Sequence, residues 1–196
     1  METQDKRTDI VKAASSCFAR YGYEKTTLDD IGKLVGLNKA SLYYYFKNKE
    51  SIYTEVIYSE TNTFLSSVFA EVDKVQGCKE KILTYLTERL KFIKDALNLN
   101  QLSIDSAQKI APLFNEMYSR IIEKEIAHLS GILGCCIKDE EIISCETDRI
   151  AKSIIIVAEA IRSRIDCHLS SDETYNETLK EIKFTVSLIL DGLMKK

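Results

Sequence analysis

The sequence has little proline and glycine, with one and seven among 196 residues, and it has no tryptophan. Proline and glycine interrupt regular structure, so their scarcity favours long elements. Because no run shows strict apolar–polar alternation, these elements are expected to be helices rather than strands. No stretch approaches the roughly 18 uninterrupted apolar residues of a membrane span, and no apolar run follows the charged N-terminus as in a signal peptide. We therefore expect an all-α protein of the cytoplasm, without a membrane partner.

The sequence also lacks the short motifs that mark common enzymes. It has no glycine-rich phosphate loop, no H-E-x-x-H and no nucleophile elbow. Its two histidines, His128 and His168, stand forty positions apart. These absences argue against an enzyme, and we predict no catalytic residue, no cofactor and no metal site.

None of the cysteines shows C-x-x-C spacing. Thiols in a cytosolic chain are normally reduced, and free cysteine behaves as a small apolar residue. An alternative is a regulator that responds to redox state or metal through Cys135, Cys136, Cys145 and Cys167, with His168. The six cysteines are Cys17, Cys78, Cys135, Cys136, Cys145 and Cys167.

Charge is distributed unevenly along the chain, whose net charge is −3. The first 50 residues hold nine Lys or Arg and seven Asp or Glu, whereas the remainder is acidic. From Lys33 to Lys49 there are four lysines and no acid. A mildly basic head on an acidic body suits a nucleic-acid-binding part joined to a separate sensing part.

Two short helices joined by a tight turn are predicted between Thr27 and Phe46. Thr27 is a good N-cap, and Asp30 three residues later completes a capping box. Gly36 can end the first helix in a left-handed conformation, and Gly32, which has no side chain, allows another helix to approach closely. Asn38 is positioned to cap the second helix.

The second short helix has an inward and an outward side. Leu42 and Phe46 form the inward pair at i and i+4. The outward side is basic, small and aromatic, a composition suited to the major groove of DNA, and consists of Lys39, Ala40, Tyr43 and Tyr44. Three consecutive tyrosines, Tyr43 to Tyr45, cannot all face a core, because successive helical residues differ by about 100°.

The segment GLNKASLYYYFKNKESI resembles the signature of TetR-family transcriptional regulators. Phe18, Tyr21, Gly22 and Tyr23, followed by two threonines, resemble the family's usual lead-in. The resemblance covers about residues 8 to 57. Asn38 stands where serine is usual in the family, and Ala40 stands where glycine is usual.

The resemblance implies roles for individual residues in binding double-stranded DNA. Phosphate contacts are implied for Thr27, Tyr43, Tyr44 and Lys49. Lys39 and Ala40 would lie close to the bases, and Ser41 would have a mixed role. Tyr45 is also a candidate contact, although it can pack partly inward.

The rest of the chain predicts a larger helical domain, giving about nine helices in all. We place the DNA-binding domain at residues 1–48 and a sensing and dimerisation domain at 49–196. One helix is expected from about Leu102 to Lys109, with another from Pro112 to about Leu133. The last two helices, about 148–194, have broad apolar faces, which indicate either deep core or a homodimer interface; the resemblance implies the interface.

These features predict a ligand-responsive regulator, a repressor that binds a near-palindromic operator as a dimer and is released by a small-molecule effector. An all-helical protein-binding adaptor is the other class that remains open. Aromatic and apolar residues of the middle helices are candidates for the effector pocket, although plain core is the commoner role of such stripes. The candidates are Tyr85, Phe92, Phe114, Met117 and Tyr118.

Overall fold

The structure, a computed structural model, describes residues 2–99, 104–163 and 171–195. In these ranges the chain forms eight α-helices, where about nine were expected, and the predicted all-α class is confirmed. The strand-like pairing in this part is an isolated bridge between Ile142 and Met194. The helices are α1 (Glu2–Lys25), α2 (Leu28–Val35), α3 (Lys39–Tyr45), α4 (Lys49–Val72), α5 (Cys78–Leu99), α6 (Ile104–Lys138), α7 (Thr147–Ser163) and α8 (Asp172–Asp191).

The chain divides into two compact units. The first consists of Met1–Asn62 and Asn100–Ile121, and the second of Thr63–Leu99 and Ile122–Lys196. The divisions fall within α4 and within α6, so each of these helices contributes residues to both units. No helix in the described ranges combines the length and apolar character that crossing a bilayer requires.

The first unit is built on the apolar stripe of α1. Ile10, Ala14 and Cys17 are buried at helical spacing and pack with residues of α2, α3 and α4. Tyr21, one helical turn after Cys17, is exposed. At Gly22 a φ of 77° and a ψ of 163° interrupt the helix, and Tyr23 beyond it is buried.

The helix α6 corrects the expected boundaries of the middle helices. It runs without a break from Ile104 to Lys138, whereas the sequence suggested separate helices on either side of Pro112. Proline removes one backbone hydrogen bond, here the bond to the carbonyl of Gln108. Both Pro112 and Gln108 are exposed, so water can satisfy that carbonyl. The expected end near Leu133 was also too early.

Two sequence expectations fall partly outside the described residues. These are the helix start at Leu102 and the middle of the range 148–194 assigned to the last two helices. The helix α5 extends to Leu99. Cys167 and His168 also lie outside the described part.

The second unit contains a buried ionic network that the sequence did not reveal. Arg89 Nε donates to Glu125 Oε1 at 2.6 Å, and Arg89 Nη1 donates to Glu159 Oε1 at 2.5 Å. The hydroxyl of Tyr85 also donates to the Glu125 carboxylate. The carboxylates of Glu125 and Glu159 raise the pKa of Arg89 and outweigh its burial, which acts in the opposite direction. Paired in this way, the charges are tolerated in an apolar interior.

Candidate nucleic-acid interface

The start of α2 is fixed by the predicted capping box. The Thr27 side chain accepts from the Asp30 N–H at 3.2 Å, and the Thr27 N–H donates to Asp30 Oδ2 at 2.9 Å. The Thr27 hydroxyl also donates to Asp30 Oδ2 at 2.6 Å. These hydrogen bonds lower the pKa of Asp30. The two residues therefore stabilise the helix start, and Thr27 remains exposed.

The turn between α2 and α3 depends on two glycines. Gly36 ends α2 with φ 67° and ψ 33°, the left-handed conformation that glycine adopts without strain. At Gly32 a Cβ atom would lie 2.4 Å from the carbonyl oxygen of Leu37, so a side chain cannot fit without a backbone shift. The Leu37 N–H also donates to Gly32 O at 2.9 Å. The close approach predicted at Gly32 is therefore made mainly by the turn backbone.

The helix α3 is held inward by two apolar residues and capped by a third residue. Leu42 and Phe46 are buried, as their spacing predicted. The Asn38 side chain accepts from the Ser41 N–H at 2.8 Å, which confirms Asn38 as the N-cap. An N-cap of this kind contributes about 1 kcal/mol to helix stability.

The outward face of α3 carries the predicted DNA contacts. Lys39 and Ala40 are exposed at its N-terminal turn. Tyr43 and Tyr44 are 49% and 77% exposed, which leaves both hydroxyls within reach of solvent. Large exposed aromatic side chains on a short helix indicate a partner surface.

Ser41 and Tyr45 are intermediate between the two faces. Both are half-buried, and the Tyr45 ring meets the Tyr44 ring edge-on with centroids 5.1 Å apart. Tyr45 packs against the core of the first unit, as its position allowed. Whether either residue contacts DNA stays a prediction.

Lys49, predicted to contact phosphate, has partners inside the protein. Its ammonium group donates to the carbonyl oxygens of Tyr23 at 2.9 Å and Thr26 at 3.0 Å. It also lies 4.2 Å from the centroid of the Tyr23 ring. Lys49 is the first residue of α4, so it joins the start of that helix to the chain between α1 and α2.

Two further basic residues, both in α1, stabilise this unit in a similar way and were missed by the sequence interpretation. Lys6 Nζ donates to the carbonyl of Val35 at 3.0 Å, at the C-terminus of α2. Arg7 Nη1 donates to the carbonyl of Tyr45 at 2.7 Å, at the C-terminus of α3. Positive side chains are favoured at helix C-termini, where carbonyl groups lack helical partners.

Arg7 also connects α3 to α4. Its Nη2 atom lies 3.1 Å from Glu55 Oε2, and its guanidinium carbon lies 4.1 Å from the centroid of the Phe46 ring. The Arg7 side chain thus binds the Tyr45 carbonyl and the Phe46 ring at the end of α3 and the Glu55 carboxylate in α4. The available signal was an arginine one helical turn before the buried Ile10 and Val11.

The five candidate effector-pocket residues do not belong to one unit. Tyr85 and Phe92 lie in the second unit, whereas Phe114, Met117 and Tyr118 lie in the first. Tyr85 is buried with its hydroxyl bonded to Glu125, and the Phe92 ring stacks on Phe64 at 4.0 Å. Phe114 is exposed and Met117 is buried. Tyr118 is half-buried.

The cysteines named for a sensing site differ in exposure. Cys135 is exposed, Cys136 is buried and Cys145 is half-buried. Among the described residues, no group of three or more His, Cys, Asp or Glu side chains is arranged to hold a metal ion. Cys78, which the sequence interpretation left out of this set, is also buried.

Residues 10–56, which contain this interface, match the sequence profile described as "Bacterial regulatory proteins, tetR family". Residues 10–56 are therefore similar to the DNA-binding region of TetR-family regulators. TetR-family signatures thus cover the capping box, the glycine turn and the exposed face of α3. The resemblance suggested by the sequence is confirmed.

Similar proteins are transcriptional regulators rather than enzymes. The chain is 42% identical over 64 residues to the negative transcriptional regulator IcaR of the biofilm operon icaADBC in Staphylococcus epidermidis, covering 33% of this chain and 35% of IcaR. It is 30% identical over 105 residues to the regulator TtgR of Pseudomonas putida, covering 52% and 50%. The aligned regions thus span about a third to a half of these relatives.

Solved structures of transcriptional regulators share the fold along nearly the whole chain. A transcriptional regulator from Cytophaga hutchinsonii superposes with a TM-score of 0.74 and 25% identity, covering 95% of this chain and 97% of that one. A putative TetR-family regulator from Mesorhizobium loti gives a TM-score of 0.70 and 18% identity over both full chains. The TetR-family arrangement of helices therefore extends beyond residues 10–56.

Proposed function

We propose that the protein is a ligand-responsive transcriptional repressor that binds a near-palindromic DNA operator as a homodimer. The observation that carries the proposal is the outward face of α3. Lys39, Ala40, Tyr43 and Tyr44 are exposed together on a helix whose other side is fixed by Leu42 and by contacts at both ends. A helix held in this way can enter the major groove as a rigid element.

Different parts of α3 would contact different parts of the DNA. Exposed residues at the N-terminal turn, Lys39 and Ala40, would approach base edges, which carry sequence information. The hydroxyls of Tyr43 and Tyr44, together with Thr27, would contact phosphates. Lys49 remains a proposed phosphate contact, but its ammonium would then be shared with the carbonyls that it binds in the free protein.

One recognition helix covers too few base pairs to select a site, so we propose a homodimer through α7 and α8. Phe184 and Leu188 are 62% and 59% exposed, and they lie four residues apart on one face of α8. On α7, Ile156 is 55% exposed. Apolar side chains of this size, exposed together at helical spacing, fit burial against a second copy of the same chain.

Charged side chains flank these residues on both helices. Exposed Arg149 and Lys152 lie towards the N-terminus of α7, and exposed Glu177, Lys180 and Glu181 lie towards the N-terminus of α8. A two-fold axis that pairs α7 of one copy with α8 of the other would place opposite charges near each other. Two α3 helices separated by one turn of DNA, about 34–36 Å, would then read the two operator half-sites.

We propose the domain division at residue 48, with residues 49–196 responsible for dimerisation and for binding a small-molecule effector. An effector that binds better when the two α3 helices are wrongly spaced for DNA would lower DNA affinity. DNA would weaken effector binding by the same coupling free energy. The residues proposed for effector binding fall in two groups, Tyr85 and Phe92 in the second unit and Phe114, Met117 and Tyr118 in the first. Because the operator would lie in bacterial DNA, the protein would act in the cytoplasm.

The DNA proposal is tested by selecting ligands for the full chain from a random double-stranded DNA library. We expect enrichment of a near-palindromic sequence. Lys39→Ala should weaken binding to the enriched duplex at least tenfold, because each of the two copies would lose a base contact of about 1–3 kcal/mol. The exposed Lys138→Ala, in α6, is the matched control and should bind as the wild type does. A library that shows no enrichment would refute the proposal.

The dimer proposal is tested by analytical ultracentrifugation of Phe184→Asp/Leu188→Asp. Loss of a central interface anchor costs about 2 kcal/mol or more, and each residue occurs twice in a two-fold interface, so the dimer Kd should rise at least about a thousandfold. Leu34→Asp is the matched control, since Leu34 is 63% exposed but lies in α2. Equal dimerisation of both variants would exclude this interface.

A further inference from the structure

The end of α1 and the start of α4 meet at one corner of the first unit. Lys49, the first residue of α4, joins them, since its ammonium donates to the Tyr23 carbonyl at 2.9 Å and to the Thr26 carbonyl at 3.0 Å. Lys25 lies between those two carbonyl residues, and Lys47 stands two positions before Lys49. Two lysines that are 22 positions apart in the sequence are therefore brought to the same corner.

Both lysines lie close to the bridge that Lys49 forms. Adjacent Cα atoms are about 3.8 Å apart, so the Lys25 Cα is one such step from Thr26. Two residues span at most about 7 Å, which is the greatest distance along the chain from Lys49 to Lys47. Flexible lysine side chains that start from these positions can reach one bound group or two neighbouring ones.

Lys25 and Lys47 have ammonium groups that the protein does not use itself. Both residues are exposed, and among the described residues no hydrogen bond or ion pair engages either side chain. Phosphate oxygens accept hydrogen bonds, so a phosphate contact needs a donor. The donors expected here from the sequence are already engaged: the Thr27 hydroxyl donates to Asp30 Oδ2 at 2.6 Å, and the ammonium of Lys49 donates to two carbonyls.

Acidic residues flank the same corner. Glu24 precedes Lys25, and Asp29 follows Thr27 by two positions; both acidic residues are exposed. The corner is therefore not a broadly positive surface, and an anion would be held there by direct contact with the lysines. The corner also adjoins the helix-turn-helix, since α2 begins at Leu28 and Lys47 follows the end of α3 by two residues. A DNA backbone, with its regularly repeated phosphates, fits this position.

We propose that Lys25 and Lys47 are two further phosphate contacts that bind the DNA backbone beside α3, an inference that rests on the proposed DNA binding. In the free protein Lys49 keeps the two segments together through the carbonyls of Tyr23 and Thr26. Phosphate contacts fix the position of a protein on the duplex but carry no base information. The two lysines therefore add affinity for any duplex, whereas the N-terminal turn of α3 adds selectivity.

The experiment measures DNA binding of the full chain by fluorescence anisotropy at several salt concentrations, with the duplex enriched from the library and with an unrelated duplex. Lys25→Met/Lys47→Met should weaken binding to both duplexes by the same factor, at least about tenfold at low salt. The slope of log K against log salt should become shallower by about 3 to 4, because each phosphate contact contributes about 0.9 and the dimer would lose four. Lys39→Ala should instead weaken binding mainly to the enriched duplex.

Two matched variants control for charge. Lys91→Met/Lys138→Met removes the same charge from exposed positions of α5 and α6 and should change the slope by less than about 0.5. Lys25→Arg/Lys47→Arg keeps both charges and should bind within about threefold of the wild type with an unchanged slope. Lys25→Met/Lys47→Met should melt within about 4 °C of the wild type, because neither ammonium is bonded among the described residues.

Different results separate these two lysines from the proposed DNA binding itself. If the wild type binds the enriched duplex and the slope of Lys25→Met/Lys47→Met equals that of the charge control, the phosphate contacts are refuted and the proposed function stands. A loss confined to the enriched duplex would assign the lysines to base recognition and would also contradict the proposal. A large fall in melting temperature would give them a structural role instead. If the library yields no enriched duplex, both proposals fail.

Discussion

Lys49 offers the sharpest test of how the first unit is held together. Its ammonium donates two hydrogen bonds to the carbonyls of Tyr23 and Thr26 and lies over the Tyr23 ring. A hydrogen bond involving a charged group contributes about 1.5–3 kcal/mol, and a cation–π contact at an exposed site about 0.5–1 kcal/mol. Ordering a lysine side chain opposes this by up to about 2 kcal/mol.

We therefore expect Lys49→Met to lower the free energy of unfolding of the first unit by at least about 1.5 kcal/mol. Methionine keeps an unbranched apolar stem but removes the charge and the donors. The assay is urea denaturation followed by circular dichroism, together with hydrogen exchange of the amides between Tyr23 and Ile31. Exchange at those amides should accelerate, because the chain between α1 and α2 loses its connection to α4.

The matched control is Lys47→Met. Lys47 is exposed two residues earlier, in the same basic segment, and we expect its substitution to change stability by no more than about 0.5 kcal/mol. Equal stability of the two variants would refute the structural role of Lys49. If DNA affinity alone then fell in Lys49→Met, the residue would act only as the phosphate contact that the sequence predicted.

Two other substitutions test the helix-turn-helix directly. Gly32→Ala should destabilise the first unit by about 1–3 kcal/mol in urea denaturation, because its Cβ would lie 2.4 Å from the Leu37 carbonyl oxygen. The matched control is Gly134→Ala in α6, whose Cβ would meet nothing within 4 Å and which should stabilise by about 0.5–1 kcal/mol. A similar loss of stability in both variants would contradict this account. Hydrogen bonds from Thr27 hold the pKa of Asp30 below its ordinary value of 3.8. The ionised Asp30 therefore adds fully to the free energy of unfolding above pH 3.8, and this addition is lost as the pH falls through the lowered pKa. Asp30→Asn should therefore lose stability relative to wild type near pH 7 but converge with it in acid, and a pH-independent difference in melting temperature would disprove the link.

Local features of the helix-turn-helix were predictable because each depends on residues only a few positions apart. The capping box of Thr27 and Asp30, the Asn38 cap and the left-handed Gly36 all follow from side-chain chemistry within one helical turn. The exposed tyrosines followed from helical geometry, since three in succession cannot all be buried.

Contacts between distant residues were not predictable from these rules. Lys6 and Arg7 bind carbonyl groups 29 and 38 positions away, and backbone carbonyls leave no sign in the sequence. Pro112 misled because the cost of proline depends on whether the freed carbonyl is exposed, which the sequence does not state.

Contacts that hold α3 in place come from its ends and its inner side, through Asn38, Leu42 and the carbonyl of Tyr45. The outward residues Lys39 and Tyr44 take little part in folding, so evolution can replace them almost without a stability penalty. Under the proposed DNA binding, duplicates of the gene can thus diverge in the DNA sequences they bind while keeping the same scaffold.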